Sequence, residues 1–170
     1  LASMNNLRHA VNDIAKKMNL DEDVFLLFLS SHGSEDGRIS VEFDNFALND
    51  ISSEHVRRTL DEANIYWRII IVSACYSGSF IDALQSPTTL IITAAAADKA
   101  SFGCDNIRDW TYFGEAFFSQ ALPANNTFVS SFDAAKKILK QREMEESKEA
   151  SDPQLWLGEA MEGYLTLHAL

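Results

Sequence analysis

Two short apolar runs in this chain each end in a reactive side chain. Val24-Phe25-Leu26-Leu27-Phe28-Leu29 leads into Ser30-Ser31-His32-Gly33, and Arg68-Ile69-Ile70-Ile71-Val72 leads into Ser73-Ala74-Cys75-Tyr76-Ser77-Gly78. Neither run alternates with polar residues, which is how strands read when helices cover both faces of a parallel sheet. Parallel strands deliver their carboxyl ends to one edge, and open α/β sheets build their sites there. His32 and Cys75 are 43 residues apart, with room for one helical crossover between them. That spacing fits neighbouring parallel strands, which would set an imidazole and a thiol at a common rim.

The rest of the pattern supports strands alternating with helices, hence a parallel sheet with right-handed crossovers. Leu7, Val11, Ile14 and Met18 recur at helical spacing over residues 4–18. Residues 24–30 predict a fully buried strand, and Ile39, Val41 and Phe43 a short half-exposed one beyond the His-Gly turn. Residues 53–63 suit a helix capped by Ser52, with buried strands over 68–73 and 89–94. Residues 111–121 read as helix. Ser130-x-x-Asp133 resembles a capping box opening a long helix to about residue 149. Gln154 to Gly158 supplies a last strand after Pro153.

Composition bounds the function. With 170 residues, 46% of them hydrophobic, the chain fits one domain with a core. A net charge of -11 argues against a nucleic-acid or anionic-membrane partner. No apolar run approaches the roughly 20 residues of a membrane span. His9, His55 and His168 are scattered without metal-ligand spacing and read as surface or packing residues. Asn125-Asn126-Thr127 fits a glycosylation acceptor, a pattern short enough to arise by chance. Cys104 reads as a small core residue; a Cys75–Cys104 bridge would contradict a nucleophilic role for Cys75.

A free thiol is mostly protonated at neutral pH, and the thiolate is the nucleophile. An imidazole at His32 would take the Cys75 proton, and a helix starting near Ser77-Gly78-Ser79 would favour the anion. The backbone N–H groups of Cys75 and Gly33 are the natural oxyanion donors, since glycine lets main chain approach closely. The residues alone thus point to cysteine-dependent hydrolysis.

The motifs Phe28-Leu-Ser-Ser-His32-Gly33, Ile71-Val-Ser-Ala-Cys75-Tyr-Ser-Gly78-Ser-Phe, Thr93-Ala-Ala with Ser101-Phe-Gly-Cys104, and Thr111-Tyr-Phe-Gly114-Glu115 carry a resemblance. The chain resembles the legumain-type (C13) cysteine peptidases, most closely their bacterial members, from about residue 5 to 160. The resemblance implies an α/β fold: a caspase-like three-layer sandwich with a mainly parallel central sheet, all of residues 1–170 forming one domain. It implies Cys75 as nucleophile, His32 as acid/base and Gly33 in the oxyanion hole. Peptide bonds would be cleaved without cofactor or metal, the partner being a peptide or protein substrate, with Asn a candidate before the scissile bond. A transpeptidase of the same family and a catalytically inactive peptide-binding scaffold are the alternatives.

The resemblance places substrate-binding positions at Ser73, Ser101 and Glu115. Ser73 stands where eukaryotic legumains carry a Glu, and Glu115 where they carry an Asp, so a basic residue rivals Asn as the preferred one. Domains of this type also begin with two strands before the first helix here. Residues 24–29 would otherwise present an unpaired apolar edge. The expectation is that an upstream segment of the same protein completes the sheet.

Overall fold

The computed structural model describes residues 3–42, 48–104 and 109–168. Ser3 caps helix α1 (Met4–Ala15) by accepting a hydrogen bond from the Asn6 N–H. Strand β1 (Phe25–Ser30) follows, then the two-residue strands β2 (Gly33–Ser34), β3 (Arg38–Ile39) and β4 (Ile51–Ser52). The Ser52 hydroxyl caps α2 (Ser53–Glu62) through the His55 N–H, as its position predicts. Strand β5 (Arg68–Ser73) runs through a 3₁₀ turn (Ser77–Phe80) into α3 (Ile81–Leu84), and β6 (Thr89–Thr93) comes next. Helix α4 (Tyr112–Gly114), a π-helical stretch (Glu115–Ala121) and α5 (Leu122–Ala124) form one continuous helical segment. Then come α6 (Phe128–Glu145), β7 (Gln154–Leu157) and α7 (Glu159–His168).

The main sheet has the order β1-β5-β6-β7, parallel except for β7. Alternate residues of β5 feed two cores. Ile70 and Val72 pack with Val11, Val56, Leu60 and Leu84 from α1, α2 and α3. Ile69 and Ile71 pack with Phe113, Phe117, Leu139 and Met161 from the helices of the opposite face. This is a helix–sheet–helix sandwich, the three layers expected from the sequence. Strands β2, β3 and β4 form a separate small antiparallel sheet beyond the His32 turn.

Several expectations need correction. The apolar run at 24–30 is not a fully buried strand: β1 lies at the sheet edge, with Leu26 46% and Phe28 42% exposed. Its other face, through Leu27 and Leu29, packs on the α1–α2 core. The long helix opens three residues earlier than the Ser130 box predicts. Thr127 is its cap, accepting from the Ser130 N–H, and the helix ends at Glu145 rather than 149. An earlier start lets Phe128 reach the Phe117 ring, 6.4 Å between centres. Cys104 is exposed, not in the core. Phe43 lies outside the described residues.

Candidate functional site

Register decides what meets at the rim. Phe25 pairs with Arg68 and Ser30 with Ser73, so β1 and β5 end level with each other. The Ser31 N–H still donates to the Ser73 carbonyl, 3.3 Å, one residue past the ladder. His32 is the next residue of the first chain, and Cys75 lies two past the end of the second.

Gly33 explains how close the two segments come. A Cβ on it would fall inside the Cys75 carbonyl oxygen and 3.0 Å from the Ala74 Cβ. Only a residue without a side chain lets the chain after His32 lie against the backbone of Cys75. The His32 carbonyl accepts from the Ser40 N–H, 2.9 Å, which ties this turn to the small sheet.

The thiol end is held tightly. Cys75 is half-buried and a free cysteine. Its Sγ accepts from the Ser101 N–H at 3.3 Å, and the thiol donates to the Ser101 carbonyl at 3.4 Å. Tyr76, the next residue, has φ 56°, a left-handed conformation that costs a non-glycine residue roughly 1–2 kcal/mol. Its N–H donates to the Lys99 carbonyl at 2.7 Å, which offsets the strain and turns the chain sharply toward the 3₁₀ turn. Gly78 there packs on the Ala95–Ala97 backbone.

The imidazole end is open. His32 is exposed, and among the described residues its ring makes no hydrogen bond to the Cys75 thiol. Catalytic hydrogen bonds in substrate-free sites are often long and tighten only on binding. His32 borders two clefts. One, of about 450 Å³, is lined by Phe28, Gly103, Asp109, Trp110 and Thr111 among others. The other, of about 380 Å³, runs along Leu29, Ile39, Val41 and Ile51. Both also touch Phe28, Ser30 and Ser31, so they flank the exposed end of β1.

The three positions expected to bind substrate fare differently. Ser101 sits beside the sulfur. Ser73 is buried, and its hydroxyl bonds to that of Thr111 at 3.1 Å, so it shapes the cleft from beneath rather than facing it. Glu115 is not brought into the His32 cleft. Its carboxylate pairs with Arg142 Nη1 at 2.7 Å and lines a separate cleft. Among the described residues each cleft beside His32 is lined by one carboxylate, Asp109 in the first and Glu42 in the second, and sequence reasoning missed both because no motif marks them.

Other candidates have structural roles. The Asn125 side-chain amide donates to the Ala121 carbonyl at 2.7 Å, and Thr127 is a helix cap, so both ends of the Asn125-Asn126-Thr127 pattern hold a helix junction. His55 contacts the Ser52 hydroxyl through Nδ1, and His168 packs on Tyr164. No helix among the described residues is long and apolar enough to cross a membrane.

A mainly parallel sheet between two helical layers, with a thiol at the end of a central strand and an imidazole at the end of its neighbour, is the layout of a caspase-like cysteine peptidase. The sequence model of the Peptidase C13 family matches residues 8–164, and the chain belongs to that family, the legumain-type cysteine peptidases. Comparison with curated proteins finds no match.

Proposed function

We propose that this peptidase works through a Cys75–His32 dyad and a thioester acyl-enzyme. The reading is carried by the level ending of β1 and β5, Ser30 opposite Ser73, which sends both segments to one rim. His32 takes the thiol proton as Sγ attacks the scissile carbonyl. The tetrahedral oxyanion is met by backbone N–H groups, with Gly33 lying against the Cys75 main chain. The C–N bond then breaks and His32 returns the proton to the leaving amine. Water, activated by the same imidazole, attacks the thioester; the acid leaves and the thiol is restored. The chemistry uses no metal or cofactor.

Substrate enters the cleft beside His32, where Asp109, Trp110 and Thr111 line the wall. With Glu115 paired to Arg142, Asp109 in this cleft and Glu42 in the one on the other side of the β1 end are the acids that line the rim at His32, which favours an amide or basic residue before the cleaved bond. The decisive experiment is a fluorogenic peptide panel varying that residue, run with wild type and Cys75→Ala. The mutant is expected to lose at least about 10³-fold in kcat/KM. Unchanged activity in the mutant removes the mechanism.

The same reading includes a strand from an upstream segment of the protein along the outer edge of β1. Exposed Leu26 and Phe28 support it, since long apolar edges are sites of unwanted pairing. Adding that segment should raise the melting temperature and bury Phe28. A stable, active monomer of the 170 residues alone would overturn it.

A further inference from the structure

Ser101 touches the sulfur, yet it lies in the connection from β6 to α4, which has no regular structure among its described residues. A loop this long needs something to fix it. Following the contacts outward from Ser101 leads to one buried ring. The Phe102 carbonyl accepts from the Tyr112 N–H at 3.0 Å, and the two rings lie 6.1 Å apart. Gly103, at φ 85°, lies so close that a Cβ would come within 2.8 Å of the Tyr112 nitrogen and 2.5 Å of its ring. The turn beside the thiol is thus moulded onto Tyr112.

Tyr112 is itself clamped. The Arg142 guanidinium stands over its ring, 3.8 Å from the centre. Arg142 is held by Glu115 at 2.7 Å and by Glu146 at 3.2 Å, and the Tyr112 hydroxyl donates to Glu146. A planar guanidinium lies flat on a ring while its in-plane N–H fork reaches two carboxylates; an ammonium supplies the charge but not that fork. None of Arg142, Glu115 and Glu146 lines either cleft beside His32.

We infer that Arg142 is a positioning residue for the Cys75 thiol, acting through Tyr112 and the Phe102–Gly103 turn, and that Glu115 is its counter-ion rather than a substrate contact. The inference rests on Cys75 as nucleophile. When Arg142 is lost, Tyr112 and the turn loosen, and the Ser101 N–H no longer steadies the sulfur as negative charge develops on it.

The test is the rate at which iodoacetamide modifies Cys75, read by mass on the Cys75 peptide, together with the steady-state constants. Arg142→Met is expected to slow alkylation about tenfold, the size of one lost charge-assisted hydrogen bond. It should lower kcat by a similar factor and leave KM within about twofold. Arg142→Lys should recover part of both rates. Glu115→Gln keeps the fold if Arg142→Met does not, and should give a smaller fall, about threefold, again in kcat. Alkylation and kcat at the parent values in folded Arg142→Met overturn the inference. So does a Glu115→Gln effect confined to KM, which would make that carboxylate a substrate contact. A Cys75→Ala protein that keeps its activity would instead overturn the nucleophile, while the alkylation rates would still report the coupling.

Discussion

Strands β5 and β1 carry the two reactive ends, but they live in different surroundings. All six residues of β5 are buried, with β1 on one side and β6 on the other. In β1 only Phe25 is fully buried, and exposure alternates from there to Ser30. The ends differ in the same sense. Around Cys75 a left-handed tyrosine, a contacting glycine and three contacts to one serine fix the sulfur. Around His32 the turn is held by main-chain bonds and by the Ser31 hydroxyl, which donates to the Ser40 carbonyl at 2.9 Å, and the ring is exposed. On the proposed mechanism the nucleophile is built on the enclosed strand and the acid/base hangs from the open one.

The largest effect should come at the far end of β5. The Arg68 side chain is 1% exposed, and its ion-pair partner is Asp61, at 2.6 Å, which Arg57 shares. Burial alone would raise the Asp61 pKa, but the hydrogen bonds from Arg68 and Arg57 prevail and hold it below the usual aspartate value. Asp61→Ala strands a buried guanidinium and should cost about 3–5 kcal/mol in denaturant melts. The sign with pH follows from the depressed value. The contribution is complete at neutral pH, above the ordinary pKa of 3.8, and disappears as pH falls through the lower folded-state value. An Asp61→Ala protein should therefore lose acid sensitivity relative to wild type. Equal melts for the two proteins at pH 7 would end the view of β5 as the anchored strand.

Next in size is the contrast between core positions. Ile70→Ala, at the fully buried centre of β5, should cost about 2–5 kcal/mol. Phe28→Ala, on β1, removes a 42% exposed ring and its edge contact with Phe118, 4.9 Å between ring centres, and should cost about 1 kcal/mol or less. Similar costs at the two positions would erase the distinction between the strands.

Gly33→Ala tests the seam where they join. The new methyl would have to push the His32 turn off the Cys75 carbonyl, so activity should fall about 10²-fold, the scale of a 1 Å misplacement, with modest loss of stability. The smallest effect is expected at Tyr76. Replacing it by glycine relieves the left-handed strain but frees the unfolded chain, so the two terms nearly cancel and the unfolding free energy in denaturant melts should change by about 1 kcal/mol or less.

Much of this contrast was legible in the sequence. The two apolar runs gave the strands and their shared rim, and Ser52 marked its helix. What the runs did not reveal was which strand is central, because Leu26 and Phe28 look as buried on paper as Ile69 and Ile71. Edge and centre are properties of the sheet, not of the segment. The pairing of Glu115 with Arg142 spans 27 residues and two helices, beyond any local pattern. A two-residue strand such as β2 carries too little periodicity to be seen, while the strand expected from Ile39, Val41 and Phe43 is met at Ile39 in β3, with Ile39 and Val41 buried rather than half-exposed. The π-helical turns have no side-chain signature, whereas Met161 and Leu165 in α7 were a helical signal left unread.

Helix α7 also reaches back to the segment that precedes β1. The Tyr164 hydroxyl donates to the Glu22 carbonyl at 2.5 Å, and its ring stacks near Trp67 at 4.8 Å between centres. These contacts latch the entrance to β1 using residues translated more than a hundred codons later. A nascent chain emerging from the ribosome can assemble β5 against β6 early, but the start of the histidine strand stays unlatched until α7 has been made.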